Sequence, residues 1–437
     1  MFTISIKNFF NSIGILTLDN LTKALSSFIV MILIINNVST SDFSNLTLSI
    51  RSYGIISVFV LFGLENIILA DFIRKNFLTF YISLRLRLLT SFVMMTLIML
   101  FLFFANFYLN HDPIFIFIGV ICFTLFIDAF LGLKELLFSK KLYISIFWSN
   151  LISSIVQICT VGIIILMNGS GVILLLPFIF SRLTAIIFYF LFSYNQIPEI
   201  KNIKHKKNIN FNAIYTLLLQ GFPLMLASVL GLIYAIQDQW MISLLIGRNE
   251  IAQYAAGINI VLAFIFVPSM ISNLLFNDII NNINRPEKLR GFYSLMFFCG
   301  VILFILLYLS SGIITKTLFP DEYSNSSVII QIFSIVLLTS FFGSLNNKIL
   351  ILRGQSYIIF WRSIFALILN CVLNLILIKK MGINGAAFST VITEIVILIS
   401  YYFFHKTRDL FYYQILAFDI RALCVFVKLK LSQKEYD

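Results

Sequence analysis

Residues Tyr143–Gly169 read YISIFWSNLISSIVQICTVGIIILMNG, with no Asp, Glu, Lys or Arg among them. A helix rises 1.5 Å per residue, so about 20 such residues cross the ~30 Å hydrocarbon core of a bilayer. Stretches of the same kind recur from end to end of the 437-residue chain. Hydropathy places about twelve, near 13–35, 43–69, 84–108, 114–136, 146–167, 172–194, 213–245, 251–279, 292–314, 327–347, 358–378 and 385–405. The chain is 60% hydrophobic and only 11% charged, with a mean hydropathy of +0.99. Soluble globular domains carry roughly 25% charged residues. A soluble enzyme, a DNA-binding protein and a single-span receptor are excluded, and an all-α polytopic membrane protein is expected.

The net charge of +12 marks topology rather than a nucleic-acid surface. Of the 31 Lys and Arg, 24 fall in alternate connections and the tail, including Arg74, Lys75, Lys201, Lys204, Lys206 and Lys207. Only Arg248, Lys316, Lys379 and Lys380 fall on the other side. The positive-inside rule then puts both termini in the cytoplasm. The first span holds Asp19 and Lys23 and lacks a small-residue cleavage site, so it reads as retained rather than as a signal peptide. Cys122, Cys159, Cys299, Cys371 and Cys424 sit in apolar stretches without pairing or metal-like spacing and read as small hydrophobes. No metal centre or cofactor is expected, and His111, His205 and His405 are far apart in sequence.

The segment NQIPEIKNIKHKKNINFN, residues 195–212, is the longest and most basic connection. It divides the chain into a six-helix N-terminal lobe (1–194) and a six-helix C-terminal lobe (213–405), followed by a tail (406–437). A faint repeat supports this. Residues Tyr357–Gly382 (YIIFWRSIFALILNCVLNLILIKKMG) match Tyr143–Gly169 in a Phe-Trp pair, and Trp148 to Gly169 spans 21 positions, as does Trp361 to Gly382. Spans five and eleven run in the same direction, so the halves relate by an axis along the membrane normal. Pro177, Pro223 and Pro268 fall inside spans six, seven and eight, where each removes a backbone donor and bends its helix, as a fixed kink or a hinge. Residues 410–427 are apolar, but Asp419 and Arg421 at their centre favour an interfacial helix over a thirteenth span.

Residues Asn370–Glu394, NCVLNLILIKKMGINGAAFSTVITE, resemble a signature of polysaccharide flippases: Asn370 and Asn374 four apart, then Gly382, Ile383, Gly385, Ala386 and Ala387. Gly221–Tyr254 also resembles that family's seventh span and following loop, with Pro223, Asp238, Gly247 and Glu250 before Tyr254. The chain thus resembles the Wzx-type O-antigen flippases of the multidrug/oligosaccharidyl-lipid/polysaccharide exporter superfamily over essentially its whole length. The resemblance implies a MATE-like V of two lobes around a central cavity in the bacterial inner membrane. It implies translocation of an undecaprenyl-diphosphate-linked oligosaccharide to the periplasmic leaflet, beside the polymerase and chain-length regulator of the same pathway. It also implies a coupling-cation site in the C-terminal lobe.

Charges inside spans need a partner or a wet cavity, since each costs about 2.5–3.5 kcal/mol at mid-membrane on insertion scales. Lys23, Arg51 and Arg182 lie in spans one, two and six. A lipid diphosphate would suit them, Arg by bidentate contact and Lys as a point charge. Against this, Asp19 and Lys23 share a helix face and can neutralise each other, and Arg51 can snorkel to the boundary. The sixth span offers Arg182 no acid. Asp128 lies mid-span in the fourth, facing a cavity or pairing with a Lys-bearing neighbour. The C-terminal spans show the opposite sign, Asp238 and Glu394 with no cation. Asn370 and Asn374 share a face, as do Thr390 and Glu394. Such oxygens suit Na⁺, and the carboxylates could instead carry H⁺; interhelical hydrogen bonding is the plainer role. A drug/cation antiporter of the same superfamily shares the fold, but three cations would repel cationic cargo. A polymerase would need a long outer loop, and none is present.

Overall fold

A computed structural model describes residues 3–65, 67–68, 78–108, 113–197, 211–283 and 285–421. Every regular element among them is helical, as a chain in lipid requires when each backbone N–H and C=O must be satisfied within its own segment. Among the described residues, twelve helices are long and apolar enough to cross a membrane. The first six are Gly14–Asn37, Thr40–Leu61, Ile82–Phe104, Pro113–Ser139, Tyr143–Leu166 and Gly171–Gln196. The second six are Leu217–Leu245, Asn249–Asn273, Pro286–Leu318, Ser326–Leu352, Tyr357–Met381 and Ile383–Ser400. They are called spans one to twelve below. Arg74, Lys75, His111, Lys201, Lys204, His205, Lys206, Lys207, Cys424 and the end of the tail lie outside the described residues.

The chain forms two compact units, Met1–Ile236 and Gln237–Asp437. The division falls not in the basic connection but inside the helix Phe211–Leu245. The reason is local. The first part of that helix meets the turn after span two at backbone distance: a Cβ on Gly221 would lie 2.5 Å from Phe62 O, and one on Gly63 would lie 2.7 Å from Met225 N. Gln237 and Asp238, farther along, bond to spans eleven and eight.

Within the N-terminal unit, span one packs on five, five on six, and two on four. Span two is the least apolar of the twelve, yet most of it is buried. It tolerates this because Ser44, Thr47, Ser49 and Ser52 return their hydroxyls to carbonyls four residues back on the same helix. Ser39 caps its start by accepting from Asp42 N at 3.2 Å, and Asp42 in turn accepts from Gly171 N at 3.1 Å.

In the C-terminal unit, span nine packs along ten, ten along eight and twelve, and eleven along twelve. With no hydrophobic force between helices in lipid, close van der Waals approach does the work. A Cβ on Gly257 would come within 2.7 Å of Ile329, and Ser326 Oγ donates to Gln253 O at 2.7 Å. The Gly382–Gly385 motif is a tight hairpin between spans eleven and twelve. Gly382 has φ +59° and ψ −140°, a conformation open in practice only to glycine. A Cβ on Gly385 would fall 2.1 Å from Leu377 O.

The prolines act differently from one another. Pro177 occupies the first turn of Leu176–Gln196, where a 3-10 turn (Gly171–Leu175) passes into α-helix. That position needs no N–H donor, so no kink arises there. Pro268 follows a real break: span eight runs as Asn249–Leu262 and then Phe266–Leu274, joined by 3-10-type bonds from Phe264 N and Ile265 N. Pro223 lies within the unbroken helix Phe211–Leu245.

The tail does not form a further span as far as residue 421. A short helix, Arg408–Ile415, and a 3-10 turn, Leu416–Phe418, fold back on the C-terminal unit. Leu410 and Ala417 are fully buried in one core cluster with Tyr293, Phe341, Leu345 and Tyr401. Arg353 and Asp409 pair through two bonds, of 3.0 and 2.6 Å.

Candidate functional site

The N-terminal unit buries several polar clusters inside its spans. In the first, Asp128 sits where the α-helix of span four gives way to the 3-10 turn Ala129–Leu131, a kind of mid-helix irregularity often found at functional hinges. Its carboxylate accepts from Arg182 Nη1 of span six at 2.6 Å (Oδ1) and 2.5 Å (Oδ2), and from the hydroxyl of Tyr53 in span two. The guanidinium lies 4.7 Å from the centre of the Tyr53 ring and donates to Tyr53 Oη at 3.3 Å. Arg182 therefore has an acid partner, contrary to the expectation that none stood near its span. The acid comes from a different span, 54 residues away in sequence. This also decides Asp128, which pairs with an arginine and not with a lysine.

The second cluster begins with Asp19 and Lys23, paired at 2.7 Å across one helical turn. Asp19 also accepts from Asn150 Nδ2 at 2.8 Å, and Asn150 Oδ1 accepts from Tyr189 Oη at 2.5 Å. Asp19 is buried, whereas 40% of the Lys23 side chain is exposed. Arg51 is half-buried in span two, two positions before Tyr53 and so about 200° around the helix from it.

Arg87 reads in the sequence as a cytoplasmic cation at the margin of span three, and the structure corrects this. It is fully buried, and none of its guanidinium nitrogens has a hydrogen-bond partner among the described residues. Glu135 feels the charges of both Arg87 and Glu65. Glu65 also lines a pocket of about 260 Å³ with Gly63, Leu224 and Ser228.

In the C-terminal unit, spans seven, eleven and twelve bring amide and hydroxyl oxygens together. Asn370 Oδ1 accepts from Gln237 Nε2 at 2.7 Å and from Asn374 Nδ2 at 2.9 Å. Asn370 Nδ2 reaches Thr390 Oγ1 and Thr393 Oγ1, each at 3.4 Å. Asn374 Oδ1 accepts from the Ser389 hydroxyl. The expected Asn370, Asn374 and Thr390 are thus joined, and Gln237, Ser389 and Thr393 are added to them. Asp238 is buried and accepts from the Tyr254 hydroxyl of span eight and from Gln239 N.

Glu394 stands within electrostatic reach of Arg362, and this corrects the expectation that the C-terminal spans hold no cation. Arg362 lies inside span eleven and is buried. It donates to Ile397 O at 2.6 Å and to Ser400 Oγ at 3.1 Å, and stacks 3.5 Å from the centre of the Tyr401 ring. Its charge is thereby held by span twelve.

Among the described residues, twelve apolar helices with buried polar clusters in both units define a polytopic membrane fold, and solved structures share it. The lipid II flippase MurJ in an inward closed conformation matches with TM-score 0.69 at 15% identity, over 95% of this chain and 93% of MurJ. An inward-facing multidrug resistance MATE family transporter of the MOP superfamily matches with TM-score 0.65 at 13% identity, over 90% of this chain and 94% of that one. Residues 9–276 match the family of polysaccharide biosynthesis proteins, to which the chain belongs. The capsular polysaccharide biosynthesis protein CapF of Staphylococcus aureus is 26% identical over 225 residues, covering 48% of this chain and 54% of CapF. The match therefore spans about half the length of that relative.

Proposed function

We propose that the protein is a flippase that moves undecaprenyl-diphosphate-linked oligosaccharide repeat units, of O-antigen or a related polysaccharide, from the cytoplasmic to the periplasmic leaflet of the bacterial inner membrane. Both termini are cytoplasmic in this reading, and no covalent chemistry is performed. The observation that carries it is Arg182. Its guanidinium is held in place by Asp128 and Tyr53, yet 40% of its side chain remains accessible, so it can take an anionic oxygen without a new folding step. Lys23 and Arg51 extend the cationic character of the N-terminal unit. In the C-terminal unit, Asp238 with the Asn370, Asn374 and Thr390 oxygens binds the coupling ion, Na⁺ or H⁺; Glu394, engaged by Arg362, is the weakest member of that set. One charge crossing 100 mV supplies about 2.3 kcal/mol.

The test is to delete the gene and extract the lipid-linked oligosaccharides with their sidedness preserved. Complete, unpolymerised units trapped on the cytoplasmic face are the expected result, and their mass identifies the cargo. Units that reach the outer face but do not lengthen would sink the proposal in favour of a polymerase. Normal surface glycan with raised drug sensitivity would favour a MATE-type drug/cation antiporter. That second reading gains from one observation: Lys23 and Arg182 are paired with Asp19 and Asp128, so they repel a cation less than bare charges would.

A further inference from the structure

Residues 402–421 have one face fixed to the protein and another free of it. The fixed face is made by Leu410 and Ala417 in the core, the Arg353–Asp409 pair, the stack of Tyr413 on Tyr293 at 5.7 Å and the contact of Phe418 with Phe297 at 4.4 Å. The free face presents Phe403, Phe404, Tyr412, Ile415 and Ile420, with Phe403 74% exposed and Ile420 61% exposed.

Cations border this apolar face. Lys406 Nζ lies 5.9 Å from the ring centre of Tyr357, and the Arg408 guanidinium lies 5.0 Å from that of Tyr402, with Nε donating to Tyr402 O at 3.2 Å. Neither meets a carboxylate among the described residues, since Asp409 is taken by Arg353. Arg421 follows, also exposed. Span twelve ends at Ser400, so this segment leaves the bilayer at the interface. Aromatic rings and snorkelling cations are the residues that settle there.

We propose that residues 402–421 form an interfacial anchor whose occupant is the membrane surface itself. Its aromatic face lies at the headgroup level, and Lys406 and Arg408, held on Tyr357 and Tyr402, bind the phosphate of an anionic phospholipid. Charge complementarity and direct continuity with span twelve select lipid over a second protein. The anchor is independent of the transported cargo.

The full chain is purified in detergent and titrated with phosphatidylglycerol or phosphatidylcholine, and lipid retention is read by native mass spectrometry. Phosphatidylglycerol is expected to be held preferentially. Each cation near the surface is worth about 1 kcal/mol, or about five-fold in affinity. The Lys406→Gln/Arg408→Gln variant should therefore lose roughly twenty-fold or more for phosphatidylglycerol and nothing for phosphatidylcholine. Equal retention of both lipids, or an unchanged variant, would overturn the site. Independently, benzoylphenylalanine placed at Phe404 is photo-activated in native membranes. A phospholipid adduct supports the anchor; a cross-link to a second copy or to another protein refutes it.

Discussion

Arg182 Nη1 stands 2.5 Å from Asp128 Oδ2, but the two partners are buried unequally: 40% of the arginine side chain is exposed against 2% of the aspartate's. The pair is therefore asymmetric in what its loss leaves behind. Removing the arginine strands a carboxylate in the interior, whereas removing the aspartate leaves a cation with a way out.

Arg182→Ala should accordingly destabilise the protein by about 3–5 kcal/mol, the usual result of leaving a buried charge uncompensated. Asp128→Asn should cost less than half of that. Thermal unfolding in detergent checks the order of the two, and equal or reversed losses would contradict it. If Arg182 also contacts an anionic cargo, Arg182→Lys should retain most of the stability and still reduce transport, because a lysine cannot reproduce the planar fork.

Asn150 bridges Asp19 and Tyr189, one amide serving an acceptor and a donor. Asn150→Ala leaves the Tyr189 hydroxyl without its acceptor and Asp19 Oδ1 without its donor, though Lys23 still holds Oδ2, and should cost about 2–4 kcal/mol, at about 1–3 kcal/mol for each buried atom left without a bond. Tyr189→Phe removes only the donor to Asn150 and should cost about 1 kcal/mol. A melting series on the two variants separates a bridge from two independent contacts.

The sequence makes legible what depends on neighbours along the chain. Twelve spans follow from apolar length, the Asp19–Lys23 pair from i,i+4 spacing, and the shared face of Asn370 and Asn374 from the same rule. Contacts between spans are another matter, since helix packing decides them. Nothing local tells that Asp128 meets Arg182 and Tyr53, 54 and 75 residues away, or that Gln237 donates to Asn370 while its neighbour Asp238 accepts from Tyr254. Arg87 and Arg362 were concealed for a related reason. Hydropathy assigns a charge near a span's end to the loop, whereas the structure turns both side chains inward, Arg87 only two positions from the exposed Arg85.

Gly385→Ala should prevent the eleventh and twelfth spans from closing, since the added methyl would lie 2.1 Å from Leu377 O, which is backbone and cannot rotate aside. Overpacking of this kind costs about 1–3 kcal/mol or more. Gly312→Ala, where nothing stands within 4 Å, is the control and should melt like the parent. The yield of folded protein in membranes and the melting temperature together provide the measurement.

Under the proposal that Asp238 and Asn374 help bind a coupling ion, Asp238→Asn and Asn374→Ala should each abolish the gradient dependence of transport while leaving the chain folded. Transport into vesicles under imposed Na⁺ and H⁺ gradients gives the answer. An unchanged gradient dependence in both variants would remove these residues from the coupling site.

The tightness of the Gly382–Gly385 hairpin has a mechanical consequence. Two helices locked at backbone distance cannot slide past one another, so spans eleven and twelve must travel as a single stiff lever. Any motion that reaches the amide cluster then acts on the two helices together, including at the 2.7 Å bond that Asn370 accepts from Gln237.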